Sequence, residues 1–403
     1  MVIGIVGGGA SGMAAALAAA ENPGVQVVLF ERQPRLGRKL QATGNGRCNL
    51  SNLHAEKQGY HGGDSRFVRN ALAAFPPRET LDWFRDLGLL TVAEPSGKVY
   101  PYSDQANSVV DVLRFGLEQP NIRVLTECEV TGIRRQKKGF GVMAGEEEIL
   151  CDRLVIACGG LAGTKLGGSV SGYRLLETMG HHTTRLRPSL VQIKCGWKGV
   201  TSLKGVRANC RVQIFHDEKC TAEREGELQF TEYGLSGPVI FEVSRDVCRG
   251  SGKWTARLDF LPQMGEGELF NWLQARRRSA LGVEELLTGI LHNRLGRVLA
   301  KEAGVRGGLI RELSDRELWA VCRLVKGMDV PLTDPMGMDS AQVTAGGVFT
   351  SEFDPATMES RLVKGLFACG EVLDIDGDCG GYNLQWAWSS GRLAGQNAGK
   401  DAR

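Results

Sequence analysis

The sequence predicts an α/β protein in which one dinucleotide-binding domain is built from both ends of the chain and carries an inserted domain. Three observations predict this. Residues 2–12 read VIGIVGGGASG, with Gly7-x-Gly9-x-x-Gly12 directly after a short apolar run. Residues 365–391 return to a buried strand followed by glycines, GLFACGEVLDIDGDCGGYNLQWAWSSG. Between them, from about residue 188, the texture changes to short strands and turns and then to charged helical periodicity.

Each element follows in order. Residues 2–6 are a short apolar strand and 7–12 a turn. Residues 11–21 form a small-residue helix that Pro23-Gly24 ends. Residues 25–30 are a second buried strand, closing a βαβ unit, and Glu31 stands at its end. In such a unit Gly7 makes the tight turn, Gly9 lets the backbone approach a pyrophosphate, and Gly12 lets helix pack on strand. The helix N-terminus, with Ala10 and Ser11, offers N–H groups and a positive dipole to phosphate. Glu31 can accept hydrogen bonds from both ribose hydroxyls. The glycine pattern alone is weak evidence, but strand, turn, helix, strand and acid occur here in the required order.

Residues 33–52 read as a polar, glycine-rich loop. Residues 66–87 read as a helix broken at Pro76-Pro77, and 109–118 as another. Residues 124–133, 140–143 and 153–158 read as strands, the last followed by Gly159-Gly160. Short strands at 191–193, 210–215, 227–231 and 254–261 suggest a small barrel or sandwich. Residues 266–327 are helical, 365–369 a final strand, and 383–398 a final helix. The expected domains are 1–187 and 336–403 for the two parts of the nucleotide-binding domain, and 188–335 for an inserted β-barrel and helical domain. The cleft between the two is the expected place for a substrate.

Composition narrows the classes. Glycine supplies 54 of 403 residues, about 13% against an average near 7%. It clusters at 7–12, 44–46, 159–168 and 377–381, as expected where backbone approaches a ligand. Forty-nine basic residues nearly balance 46 acidic ones. Local basic clusters occur at Arg32, Arg35, Arg38, Lys39 and Arg47, at 134–138, and at Arg276–Arg278. They are solvated faces or a shared polyanion-binding surface. Eleven cysteines lack any CxxC pair, which suggests reduced thiols in the cytoplasm. The six histidines show no zinc-ligand spacing, so no metal is expected. No run of eighteen apolar residues predicts a membrane span, and residues 1–20 lack the basic start of an export signal.

An NAD-binding Rossmann domain needs nothing from a distant C-terminus to hold its cofactor. The C-terminal strand, loop and helix opening at Gly380-Gly381-Tyr382-Asn383 therefore favour FAD. The helix start would face the flavin pyrimidine edge, where negative charge develops on reduction. Gly370 and Glu371 would sit near the ribityl chain and pyrophosphate. No attachment motif for a covalent flavin is present, and no second phosphate loop for NAD(P)H is evident. NAD(P)H would thus visit the site transiently.

GGGASG, GRKLQATGNGRCNLSN (37–52), VTAGGV (343–348) and GEVLDIDGDCGGYNLQWAWSSG (370–391) resemble the bacterial HI0933-type, or BaiN-like, flavoproteins over nearly the whole chain. The resemblance implies non-covalent FAD on a glutathione-reductase-like Rossmann scaffold with an inserted β-barrel and helical domain. It implies a cofactor site drawn from Gly7, Gly9, Ala10, Ser11, Gly12, Glu31, Arg32, Lys39, Gly44, Asn45, Gly46, Val130, Ala157, Gly159, Gly160, Gly370, Glu371, Asp374, Gly380, Gly381, Tyr382, Asn383 and Leu384. It also implies reduction of carbon–carbon double bonds, foremost uridine to dihydrouridine in 23S ribosomal RNA. A small metabolite (an enone or amine) is the alternative substrate, and a non-catalytic flavin-binding protein a third reading. Reducing an activated C=C bond takes a hydride from flavin N5 and a proton from a nearby acid. Cys48 is the first candidate for that acid and Cys379 the second. Arg47 is a candidate for binding a uracil carbonyl or a phosphate.

Overall fold

The computed structural model describes residues 1–56, 58–250 and 252–400. The chain divides into two compact units, Met1–Arg187 with Gln342–Arg403, and Pro188–Ala341. Each has its own apolar core.

The first unit is built on a five-stranded parallel sheet of Rossmann type. Its spatial order is Leu366–Ala368, Arg153–Ile156, β1 (Val2–Val6), β2 (Gln26–Phe30) and Ile122–Leu125. β1 lies at the centre, with Ile5 paired to Val155 on one side and Leu29 on the other. Its neighbours are apolar on both faces, as expected of a parallel sheet covered on both sides. Helix α1 (Ala10–Ala20) is small and apolar all round, the pattern of a helix buried on every side. The C-terminal helix Tyr382–Gly399 packs against it at backbone range. A Cβ on Gly391 would stand 2.4 Å from the Ser11 carbonyl oxygen, and one on Gly395 would stand 2.2 Å from that of Ala15. Those two glycines dock the last helix of the chain onto the first.

Two local expectations change. The strand expected over 124–133 is two strands. Glu127 takes φ +53° and breaks the run, so Ile122–Leu125 stays in the parallel sheet while Val130–Arg135 starts an antiparallel three-stranded sheet with Phe140–Ala144 and Glu147–Cys151. The stretch 33–52 is also more ordered than a loop. It holds a short helix, Arg38–Ala42, a 3₁₀ turn, Thr43–Gly46, and a strand, Ser51–Asn52.

The second unit is a closed six-stranded barrel with helices. Its strands run in the order Ile193–Cys195, Gly234–Ser236, Lys219–Phe230, Arg207–His216, Trp254–Asp259 and Met328–Pro335, which pairs back to the first. All pairings are antiparallel, and alternate residues point inward. Val212, Ile214, Leu228, Phe230, Ala256, Leu258 and Val330 fill the interior. Helices Glu266–Ala275, Asn293–Glu302 and Asp315–Lys326 add the remaining apolar faces to this core. Among the described residues, no helix is long and apolar enough to cross a membrane.

Candidate functional site

The site grows from the carboxyl end of β1. Gly7 takes φ +111°, and a Cβ there would stand 2.5 Å from the Ala157 carbonyl oxygen. A Cβ on Gly12 would stand 1.8 Å from the Gly7 carbonyl oxygen. Both glycines are therefore demanded by the fold itself. Gly9 differs: a Cβ there meets nothing within 4 Å. Gly9 caps α1 with no side-chain partner, and the first turn carries no acid. The first N–H groups of the helix thus open onto free space beside Gly9, Ala10 and Ser11.

Glu31 closes one flank of this space. Its Oε2 accepts from the Gly8 N–H at 2.8 Å and its Oε1 from the Gln33 N–H at 2.7 Å. The carboxylate is fixed, with a lone pair left on each oxygen for a ribose hydroxyl. Arg32 donates to the Gly167 carbonyl oxygen at 2.6 Å, tying the loop after the fourth sheet strand to this flank. Val130 and Ala157 are buried beneath it.

The opposite flank joins three distant segments. Lys39 and Glu371 form an ion pair at 2.8 Å. The other oxygen of Glu371 accepts from the Thr344 N–H at 2.8 Å, and the Thr344 hydroxyl accepts from the Ala162 N–H at 2.9 Å. A Cβ on Gly160 would collide with both Glu371 and Thr344 at 2.5 Å, whereas Gly159, at φ +69°, has nothing within 4 Å. Gly370 takes φ +75° against Ser11, and its carbonyl oxygen accepts from the Trp386 indole.

The far end of the site is made by two loops. Gly44, Asn45, Gly46 and Cys48 all have positive φ, a tightly coiled turn. Gly380 and Gly381 also have positive φ, and a Cβ on Gly381 would stand 2.2 Å from the Ser51 carbonyl oxygen. The Asn52 amide donates to the Gly380 carbonyl oxygen at 2.8 Å. Asn383 clasps Gly377 twice, accepting from its N–H at 2.7 Å and donating to its carbonyl oxygen at 2.8 Å. Asp374 is buried and accepts from the Gly63 N–H at 3.1 Å. The Tyr382 carbonyl oxygen accepts from the Tyr60 hydroxyl, and Leu384 packs on the core. Asn383 and Asp374 therefore shape the loop from behind.

The candidate acid residues fare differently. Cys48 is 0% exposed and belongs to the apolar core. Burial pushes its thiol up to about 12, against a smaller downward pull from a hydrogen bond with Thr43. This burial comes from the protein's own side chains. A thiol with no exposed surface and a raised pKa is poorly placed to serve as the expected proton donor. Arg47 stacks over the Tyr100 ring at 4.1 Å and pairs with Asp104 and, at 3.7 Å, Glu94. Its charge is committed to neighbouring acids, which argues against it as a phosphate ligand. Cys379 is half-buried on the Gly380 loop.

Sequence reasoning overlooked His61 and Asp378. Strand Tyr60–Gly62 pairs antiparallel with Ile375–Gly377, setting His61 opposite Asp376. His61 Nε2 lies 2.7 Å from Asp378 Oδ1, and both side chains are half-exposed. The alternation in DIDGD places Asp378 just beyond that strand. Nothing near His61 in the sequence marks its partner, 317 residues away. The adjacent histidines His181 and His182 differ in setting: the His182 side chain is exposed. His181 is buried, stacked on Phe353 at 4.6 Å.

The family model described as the HI0933-like protein Rossmann domain matches residues 1–397. The chain belongs to that family, a family of FAD-dependent oxidoreductases. It is 41% identical over 404 residues to the 3-dehydro-bile acid delta(4,6)-reductase of Clostridium scindens, covering 98% of each chain. It is 31% identical over 393 residues to the ribosomal RNA dihydrouridine synthase of Escherichia coli, covering 98% of this chain and 96% of that one. Among solved structures, 3-ketosteroid delta1-dehydrogenase from Sterolibacterium denitrificans aligns with a TM-score of 0.51 at 11% identity. The alignment covers 98% of this chain and 99% of that one, a likeness of fold alone.

Proposed function

We propose that this chain binds FAD non-covalently along the first unit and uses it to reduce a carbon–carbon double bond conjugated to a carbonyl, with NAD(P)H as a transient reductant. The observation that carries the reading is the open cradle at Gly9 and Gly159, where a Cβ meets nothing, flanked by Glu31 and by the Lys39–Glu371 pair. The uncapped α1 N-terminus suits a pyrophosphate, Glu31 a ribose, and Gly370–Glu371 the chain leading to the ring. Gly44–Gly46 and Gly380–Leu384 would hold the ring end. Bound FAD supplies two-electron transfer to carbon, a chemistry no side chain of this protein has. The protein's part is to orient the substrate, keep water out and hold a proton.

A small conjugated ketone is the favoured substrate. The relative at 41% identity is named for reduction of a 3-dehydro-bile acid. Half of the residues in the basic clusters that would suit RNA have partners within the chain, while the stretch 134–138 is exposed. Arg32, Arg38, Lys39 and Arg47 each have an intramolecular partner, Arg276 donates to the Glu285 carbonyl oxygen, and Arg277 pairs with Asp315 at 2.6 Å. The second reading, reduction of a uracil C5=C6 bond in ribosomal RNA, is supported by the relative at 31% identity. Both substrates present a double bond next to a carbonyl.

One experiment tests the proposal and separates the two readings. Purified protein should be yellow and release FAD on denaturation. Reduced anaerobically with NADPH or NADH, it should be reoxidised by a 3-dehydro-bile acid carrying the Δ4,6 unsaturation. Reoxidation only by ribosomal RNA lacking dihydrouridine would select the second reading. A colourless protein that takes up no FAD would refute both.

A further inference from the structure

With Cys48 buried in the core, another group is better placed to supply the proton. We propose that His61, oriented by Asp378, donates that proton, an inference that rests on the flavin-dependent reductase reading above. The argument is one of placement. Asp378 lies in the same loop as Gly380 and Gly381, which open the helix expected to face the ring end of the cofactor. The Asp378 N–H donates to the Gly59 carbonyl oxygen at 2.8 Å. Gly59, at φ +84°, lies against both Asp378 and Tyr382, since a Cβ there would stand 2.9 Å from Asp378 Oδ2 and 2.7 Å from the Tyr382 ring. Strand pairing fixes His61 two residues further on. His61 is thus held by backbone register and by a carboxylate at 2.7 Å, and remains half-exposed.

The chemistry fits that geometry. Imidazole is the side chain best suited to carry a proton near neutral pH. Asp378 occupies Nε2, which leaves Nδ1 to face a ligand. A carboxylate on one ring nitrogen fixes the tautomer and stabilises the imidazolium. Tyr60, the adjacent aromatic acid, is buried, with its hydroxyl spent on the Tyr382 and Ala55 carbonyl oxygens.

The balance closes with no further reactant. The double bond takes up one electron pair and two protons. The pair and one proton originate in NAD(P)H, arrive by way of the cofactor, and end on the carbon remote from the carbonyl. The second proton passes from His61 Nδ1 to the carbon beside the carbonyl. The π bond breaks, two C–H bonds form, and His61 regains its proton from water. Asp378 is a positioning residue in this scheme.

The test uses the full-length, FAD-loaded protein. In ¹⁵N-labelled oxidised protein without reductant, the His61 ring resonances, assigned by their loss in His61→Gln, should shift as the 3-dehydro-bile acid is titrated in. His61→Gln should retain FAD, and its reduced form should be reoxidised by that substrate 10²–10⁴-fold more slowly. Asp378→Asn should change the His61 ring resonances in the free protein, because it alters the group on Nε2, and give a smaller loss of rate than His61→Gln. An active wild type with an equally active His61→Gln overturns this inference alone, and so do ring resonances that ignore a bound substrate. A wild type inert toward both the bile acid and ribosomal RNA overturns the parent reading, and this one with it.

Discussion

Lys39 and Glu371, 332 residues apart in the chain, meet in a 2.8 Å ion pair that closes one wall of the proposed cofactor cradle. Lys39 comes from the short helix after the first βαβ unit, and Glu371 from the loop after the last sheet strand. The second oxygen of Glu371 is held by the Thr344 N–H. Three segments therefore converge on one carboxylate.

Lys39→Met should weaken that convergence without dismantling it. A partly exposed ion pair contributes up to about 1 kcal/mol. The expected result is an FAD dissociation constant raised by up to about fivefold, with the melting temperature nearly unchanged. Fluorescence titration of apoprotein with FAD measures it. Glu371→Ala also frees the Thr344 N–H and should cost more in both respects.

Gly9 and Gly12 should separate ligand demands from fold demands. A Cβ on Gly12 would lie 1.8 Å from the Gly7 carbonyl oxygen, so Gly12→Ala should destabilise by at least ~3 kcal/mol and yield little folded protein. Gly9 has ordinary φ, −81°, and room for a Cβ. Gly9→Ala should melt like the wild type yet bind FAD at least tenfold more weakly. Equal FAD affinity in Gly9→Ala would show that the pyrophosphate lies elsewhere.

Cys48 should behave as a structural thiol. Burial holds it protonated in the folded protein up to about pH 12, while an unfolded thiol ionises near pH 8.5. The folded state therefore binds the extra proton, and stability is lost as pH rises from about 8.5 toward 12. The slope is about 1.4 kcal/mol per pH unit for this one group. Cys48→Ala should lose that increment of alkaline sensitivity, melt lower at pH 7, and keep its reductase rate. Thiol labelling of native protein should reach the exposed Cys220 well before Cys48.

His181 should make the protein acid-sensitive. Its pKa is lowered chiefly by burial, against the pull of Glu352 at 2.9 Å. Its other ring nitrogen lies 2.9 Å from the Ser360 hydroxyl, whose oxygen already accepts from the Leu362 and Val363 N–H groups. For Glu352, burial raises the pKa, but the bonds from His182 and His181 outweigh it and leave it lowered. A depressed histidine contributes stability above about pH 6.5 that is lost as pH falls through that value. A depressed carboxylate acts in the same sense below about 4.5. Thermal melts should show wild type and His181→Asn far apart at pH 7.5 and closer at pH 5.

By itself the sequence determined the Rossmann core of this protein and the kind of ligand it is built around. The glycines at 7, 9 and 12, the all-apolar small helix and the acid after the second strand act on near neighbours, within one βαβ unit. Such short-range constraints can be read from spacing. The changed texture at 188 likewise marked a second unit, because alternation along a barrel strand is local. Only the tertiary structure decided which reactive side chains face the site. Cys48 and Arg47 lie in the right loop, yet backbone at positive φ turns the thiol into the core, and Glu94 and Asp104 claim the guanidinium. His61 carried no signal until strand pairing placed it beside Asp378. Which way a side chain points, and which distant carboxylate it meets, depends on long-range packing that spacing along the chain does not encode.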